Sequence, residues 1–366
     1  MEEESISFNA PHGVFYNTTM RLCRSISSLA VGAIDSNLEL VDAFCASGIR
    51  GIRYAKENKN VKKITFLDLS KTAISCAKKN VKTNKLRAQF CHNNISKAAF
   101  ELQADFLEID PFGTPSPYLY DSFRYFNSKK FAYLSVTATD VAVLCGGKTA
   151  ACLKNYHSKP LNNEFTHETG LRIMIKKIAE VSAEFNMGIE PLISFSDKHY
   201  LKSIISVRRS ADLAYVSAKQ LGYLSFCSKC GNRFHSQFPE KCKNCRNSTE
   251  FAGQLWLGEL HNKKFIGKMI KLNNTRNYTD RIQINRMLSL MEGEVKLPPY
   301  YYNVHNLCKI QDINPVPQMV VLLKRLQDAG YIAVRTHFSP VSIKTNAPYN
   351  RILEAIRLKH VSMPRP

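Results

Sequence analysis

Between residues 38 and 137 the chain alternates short apolar runs with amphipathic stretches, and this alternation constrains the fold more than any other feature. Leu38–Phe44, Lys63–Asp68, Ala88–His92, Ala104–Ile109 and Phe131–Thr137 read as strands. Helical patterns lie between them: one opens after Cys45–Gly51, one runs from Ser70 to Thr83 with Ala73, Ile74, Ala77 and Val81 as its buried stripe, and one lies near Ser116–Phe126. Short strand–helix–strand connections point to a parallel, doubly wound sheet. A long helix from roughly Thr166 to Phe185 and two further strands, Gly188–Phe195 and Tyr200–Val207, close it. Ligands of such sheets bind at the carboxyl ends of the strands, so the residues just past each run are the candidates for a site.

The most informative of these ends is Asp110-Pro111-Phe112-Gly113-Thr114-Pro115. Pro111 biases Asp110 toward an extended conformation, while Gly113 and Pro115 set a sharp turn that holds Phe112 at the same rim. A carboxylate and an aromatic ring on a stiff turn can grip a flat base and accept hydrogen bonds from an exocyclic amine. Taken alone, the stretch reads first as an ordinary turn with a capping Asp and a core Phe, and only the rest of the chain favours the site.

Cys45-Ala46-Ser47-Gly48-Ile49-Arg50-Gly51 opens a helix with small residues that let a ligand approach the backbone, without a full Gly-x-Gly-x-x-Gly signature. Asp68 follows Gly48 by about twenty residues, the separation at which a carboxylate meets the ribose of an adenosine-type cofactor. Asn94 and Ile95, at the same edge, are placed to read an adenine, although Asn93-Asn94 is also a common turn pair. Asp140 reads as a helix cap. Near the amino end a helix from about Thr18 to Val31, capped by Thr18 or Thr19, carries Arg24; by itself Arg24 reads as a solvated charge and Phe15 as a packing residue.

Composition bears on partners. At 366 residues and 44% hydrophobic the chain can bury a full core in two or three domains. A formal net charge of +21 argues for a polyanionic partner such as nucleic acid, although acidic membranes attract it too. No apolar run approaches the length of a bilayer span, and Met1-Glu2-Glu3-Glu4 is unlike a signal peptide, so the expectation is a cytoplasmic protein. Of the 11 cysteines, Cys227, Cys230, Cys242 and Cys245 form a C-x2-C-x11-C-x2-C arrangement, the pattern of a structural zinc site with four thiolate ligands. Gly231-Asn232 and Lys243-Asn244 are expected to make its knuckle turns, with Lys229, Arg233, Lys241, Lys243 and Arg246 surrounding it with positive charge. Helical patterns near Asp280–Leu290, Asn303–Lys309 and Pro317–Ala329, followed by the extended Gly330–Thr336, look like a winged-helix module; Lys324, Arg325, Arg335 and Lys344 are its phosphate-binding candidates, each equally a surface charge.

Several blocks together resemble one family. Val14-Phe15-Tyr16-Asn17 with Met20 and Arg24, Asp42 followed by Ala46–Arg53, Asp110-Pro111-Phe112-Gly113, Thr137-Ala138-Thr139-Asp140 with Leu144-Cys145-Gly146, His167–Arg172, Leu255-Trp256-Leu257-Gly258 and the tail Tyr331–Pro348 are similar, in order, to the archaeal and eukaryotic tRNA (guanine-26-N2)-dimethyltransferases. The resemblance spans residues 12–356, and the compact length is that of archaeal members. It implies a class I (Rossmann-like) S-adenosylmethionine-dependent methyltransferase domain over residues 1–218. A smaller, basic α+β domain that binds tRNA would cover 219–366, with a zinc knuckle at 225–250 and the winged-helix-like module at 280–350. By the same resemblance Arg24, Asp42, Gly48 and Arg53 would contact the cofactor, Asp68 its ribose, and Asn94 and Ile95 its adenine, where many relatives have an acid and a small residue. Phe15 and Phe112 would sandwich the guanine, with Asp110 at its exocyclic amine. The substrate would be the guanosine where the D arm meets the anticodon arm, with no obligate protein partner evident. The alternatives are N2-methylation of another tRNA or rRNA guanosine, or a tRNA-binding chaperone without turnover; intact Asp110, Phe112 and Gly48 argue against the latter.

Overall fold

The computed structural model describes residues 1–358; residues 359–366, the end of the expected carboxyl-terminal domain, lie outside the described residues. A small hairpin, β1 (Glu2–Glu3) and β2 (Ile6–Ser7), precedes a 3-10 turn at Thr18–Met20 that leads into α1 (Arg21–Gly32). Asn17, rather than Thr18 or Thr19, caps this entry: it is still extended, and its side-chain oxygen accepts from the Thr19 N–H at 2.9 Å. Both threonines already lie inside the turn.

The alternating region then supplies β3 (Leu38–Ala43), α2 (Ile49–Glu57), β4 (Val61–Asp68), α3 (Lys71–Thr83), β5 (Gln89–His92), β6 (Phe106–Ile109) and β7 (Phe131–Ala138). Ser70 caps α3 as expected, its hydroxyl accepting from the Ala73 N–H. After the helix Thr166–Glu184, β8 (Met187–Asp197) and β9 (Tyr200–Arg209) complete a seven-stranded sheet in the order β5-β4-β3-β6-β7-β9-β8. The first five strands are parallel and the last two antiparallel to their neighbours. Successive residues face opposite sides, so Leu40, Ile64 and Phe66 pack under α1 to α3 while Val41, Leu107 and Leu134 pack under the helix Thr166–Glu184. Strand order reverses between β3 and β6, which places the loops after Ala43 and Ile109 side by side at the switch point.

The boundary expected at 218/219 runs through a continuous core. A three-stranded sheet, β11-β10-β12 (Arg233–Ser236, Leu221–Phe226, Glu250–Trp256), was not signalled by the pattern, and its Leu224, Phe226, Ala252 and Leu255 join the cluster of the helix Thr166–Glu184. The helix expected near 280–290 spans Arg281–Glu294, and it does not build the core of the winged module. Its Ile284, Leu288 and Met291 pack with Phe265, Ile266 and Met269 of an unforeseen helix, Lys263–Asn274, into the cluster of α1. The module proper has its own core of Leu307, Leu322, Leu326, Ile343 and Ile352, around the sheet β13 (Tyr302–Asn303), β15 (Ser339–Thr345) and β14 (Ala333–Thr336). Among the described residues no helix is long and apolar enough to cross a membrane.

Candidate active site

At the switch point lies a cavity of about 400 Å³, within the range of small-molecule sites. Phe15, Arg24, Asp42, Asp68, Asp110 and Phe112 line it, so residues scattered over the first third of the chain converge. The turn after β3 is tightly coiled, with Phe44, Ala46 and Gly48 all at positive φ. Gly48 caps α2 at φ +77, where a side chain would also press on Ala77. Gly51 is needed for closeness: an added Cβ would lie 2.6 Å from the Phe66 ring and 2.7 Å from Asp42 Oδ2, which accepts the Gly51 N–H at 3.0 Å. Burial, then the neighbouring Glu108 charge, pushes Asp42 up to about 8 against the pull of Arg50. Asp68 is held by two backbone donors, Ala46 N–H at 3.0 Å and Ser70 N–H at 2.8 Å.

Asp110 directly follows β6, with its side chain 23% accessible at the rim. Its Oδ2 accepts from Arg50 Nη2. Burial alone would raise its pKa, but Arg50 and then Lys202 outweigh that and hold the carboxyl below its ordinary value. Behind it, Glu108 accepts from Tyr54 at 2.7 Å and Lys202 at 2.5 Å, and Lys202 also donates to Thr137 at 2.9 Å. The Asp110 turn is tied down by Gly113 N–H to Thr139 Oγ1 at 2.8 Å and Thr139 N–H to Gly113 O at 3.0 Å. Asp140 makes no capping bond; its carboxylate accepts from Tyr156 at 3.0 Å. Phe15 and Phe112 are both exposed and meet edge to face with centroids 4.6 Å apart at an angle of 80°. They do not stand parallel with a gap, so a base entering between them must part the rings.

The model of the N2,N2-dimethylguanosine tRNA methyltransferase family matches residues 1–357. The chain belongs to this family. Among similar members, the tRNA (guanine(26)-N(2))-dimethyltransferase of Methanobrevibacter smithii is 37% identical over 97% of this chain and 94% of its own length. That of Thermococcus kodakarensis is 33% identical over 96% and 94%. The solved structure of Trm1 from Pyrococcus horikoshii with S-adenosyl-L-methionine superposes with a TM-score of 0.89 at 29% identity, covering 98% of this chain and 99% of that one. A Rossmann-like methyltransferase fold is therefore common to this chain and that Trm1.

Not every expected site residue of this family member reaches the cavity. Arg24 lines it, but its guanidinium is buried and engaged by Glu3 and the Asn17 carbonyl. Arg53 does not line it; fully buried, it bonds Glu57 at 2.7 Å and Glu3 at 3.0 Å. Thus the acidic amino terminus is an internal counter-ion. Asn94 and Ile95 do not line it either: Asn94 caps the short helix Ile95–Ala98, and Ile95 is buried among apolar side chains. Lys344, expected to bind phosphate, is 2% exposed and paired with Glu168, because the wing strand carrying it packs inward. Four polar residues with no foreseen role matter instead. Arg50, Glu108 and Lys202 support Asp110, and His199 lines the rim with Nε2 3.3 Å from Asn17 Nδ2. An acid inside the otherwise apolar run Phe106–Ile109 was the signal that could have drawn attention to Glu108.

The cysteine cluster forms as spaced. Cys227 and Cys245 sulfurs, and those of Cys230 and Cys242, are 3.5 Å apart. That is far beyond a disulfide and close to the separation of ligands sharing one ion at about 2.3 Å. Burial pushes the Cys227 and Cys230 thiols up while Cys242 and Cys245 lie below their usual range, Cys245 chiefly through the Asn247 side chain, so it is the four converging sulfurs that point to a metal. The residues therefore fit zinc. Gly231 makes the first knuckle at φ +77, but Arg246, at φ +62, takes the left-handed place in the second, not Lys243-Asn244. Arg233 is no surface charge: it is buried against Glu164 at 2.6 Å and the Tyr301 carbonyl.

Proposed function

We propose that this chain methylates the exocyclic N2 amine of the guanosine at position 26 of tRNA, adding one methyl and then a second. The observation that carries this reading is the convergence, at one cavity, of a carboxylate with two exposed aromatic rings and a second carboxylate at the neighbouring strand end. Bound S-adenosylmethionine supplies an electrophilic methyl on a sulfonium. Asp68 would take the ribose hydroxyls, the small-residue turn at Ala46–Gly48 would let the cofactor approach the backbone, and Asp42 and Arg24 line the same cavity, whereas Arg53, Asn94 and Ile95 stand outside its lining and would act only from behind it. Two of these act indirectly here, since Arg24 and Arg53 are committed to Glu3.

Phe15 and Phe112 part to receive the base and stack on it, each contact contributing about 1–3 kcal/mol. Asp110 accepts an N2–H and so turns the amine lone pair toward the methyl. The guanine amine is a weak nucleophile because its lone pair is delocalised, so orientation is most of the task. Once alkylated, the nitrogen carries positive charge and is strongly acidic. Asp110, although held below the ordinary carboxylate range, is then basic enough to take the proton. A monomethyl product retains one N–H for the same acceptor, which permits a second round.

The four cysteines would hold a structural zinc, with no position left open for chemistry. Their knuckle braces the winged module, because the Cys230 carbonyl accepts from Gln311 at 2.8 Å and from Tyr349. The excess positive charge would steer tRNA to the protein. The test is nucleoside mass spectrometry of tRNA transcripts incubated with protein and cofactor. Dimethylguanosine should appear with guanosine at position 26 and vanish when that base is replaced. Asp110→Ala should abolish it while leaving tRNA affinity within about threefold. Methylation surviving the base replacement would mean another guanosine is the substrate; methylation by the Asp110→Ala variant would remove Asp110 from the mechanism.

A further inference from the structure

Resting on the assignment of Asp110 as the acceptor for the substrate amine, we infer that Arg50 is a positioning residue that keeps this carboxylate ionised and turned so that one oxygen is left for the base. The geometry is specific. Arg50 is 6% exposed, and its Nη2 bonds Asp110 Oδ2; its Nε lies 3.8 Å from Glu108 Oε1, and its Nη1 is 3.5 Å from Ser27 Oγ. One planar guanidinium therefore spans two strand-end acids and α1. Arg50 engages Oδ2 and so sets the rotation of the Asp110 side chain; on this reading Oδ1, with Thr137 close to the same carboxyl, takes the substrate N–H.

A carboxyl beside Phe15, Phe112 and Pro111 needs such a partner. Desolvation favours its neutral form, and a neutral carboxyl would donate a proton to the amine lone pair that must attack. The surroundings answer this with a closed set of charges. Arg50 from α2, Lys202 from β9 and Thr137 from β7 act on Asp110 directly, Asp42 on β3 and Glu108 on its own strand are the neighbouring acids, and Tyr54, Tyr200 and Cys23 flank Arg50. Two cations, Arg50 and Lys202, stand against two anions, Asp110 and Glu108. Lys202 is occupied by Glu108 at 2.5 Å and by Thr137, so Arg50 is the cation in direct contact with Asp110. Five elements, β3, α2, β6, β7 and β9, have to meet for this, and none is informative alone.

Two variants separate charge from shape. Arg50→Lys keeps a cation but cannot reach Asp110, Glu108 and Ser27 together, so kcat should fall about tenfold or more while the acid limb of the pH–rate profile stays in place. Arg50→Met removes the charge, so the acid limb should move up by about one to two pH units. In both, cofactor affinity by calorimetry and the KM for tRNA should stay within about threefold of the parent, which a generally damaged fold would not allow. Should Arg50→Met fail to fold, Arg50→Lys decides: parental kcat in that variant overturns the proposal, as does an unmoved acid limb in a folded Arg50→Met protein. Asp110→Asn is run beside them. If Asp110→Asn stays active, the assignment of Asp110 itself has failed; if it is inactive and the Arg50 variants behave like the parent, only the role of Arg50 has.

Discussion

Lys344 Nζ lies 2.6 Å from Glu168 Oε1, both side chains almost wholly buried, where the wing strand β15 meets the helix Thr166–Glu184. Around them Arg172 bonds the same Glu168 oxygen at 2.8 Å and the Trp256 and Gly258 carbonyls, while Glu294, 3.6 Å from Lys344, accepts from His337 at 2.8 Å. The pair fastens the winged module to the seven-stranded sheet domain and is held away from any RNA. Lys344→Met should cost about 3 kcal/mol in urea unfolding, because Glu168 and Glu294 lose a buried cation. The slope of log affinity for tRNA against log salt should stay unchanged; a slope reduced by about one would return Lys344 to the role of a phosphate ligand.

Phe112 is 76% exposed, so Phe112→Ala removes little buried surface and should leave the melting temperature within a degree or two. If the ring stacks on the target base, kcat/KM should nonetheless drop by about 10-fold to 100-fold, the equivalent of one base–aromatic contact. Phe15→Ala should behave alike. Loss of stability without loss of kcat/KM would make both rings ordinary packing residues.

Asp42, raised to about 8 by burial and then by Glu108, binds a proton in the folded chain over a range in which the unfolded chain has lost it. Between its ordinary value of 3.8 and about 8, its contribution to stability therefore falls as pH rises, by about 1.4 kcal/mol per unit at the steepest. Asp42→Asn still offers an oxygen to the Gly51 N–H without a titrating group. Its stability relative to the parent should widen in favour of the variant from pH 5 to pH 8 and level off above, as read by urea unfolding. A constant difference across that range would place the Asp42 pKa near normal.

Native mass spectrometry should find one zinc per chain, and Cys242→Ser should lose it. Since the knuckle holds the winged module through the Cys230 carbonyl, chelation should weaken tRNA affinity more than it weakens cofactor affinity. Equal loss of both would mean that the knuckle supports the whole fold rather than the module.

Much of the sheet was legible in advance because it depends on short-range signals. Asp68 ends β4 and Asp110 and Phe112 stand just past β6, and the doubly wound topology gathers such positions at one edge, where all three line the cavity. The cysteine pairs carry their own spacing. Several charged side chains expected to face solvent or ligand instead meet partners on elements far away in sequence. Arg24 and Arg53 meet Glu3, Lys344 meets Glu168 and Arg233 meets Glu164. The helix Arg281–Glu294 was misplaced for the same reason, since an amphipathic pattern says that one face is buried but not against what.

The sequence by itself determined the seven strands of the main sheet and the main helices between its parallel strands, the residues at their ends, the metal-type cysteine spacing and the family. Periodicity and spacing are local, so each can be read within a dozen or so residues. Only the tertiary structure decided which charges pair with which, and that Arg50 engages one oxygen of Asp110. Those outcomes depend on which strands become neighbours, and neighbours in a sheet that reorders its strands need not be neighbours in the chain.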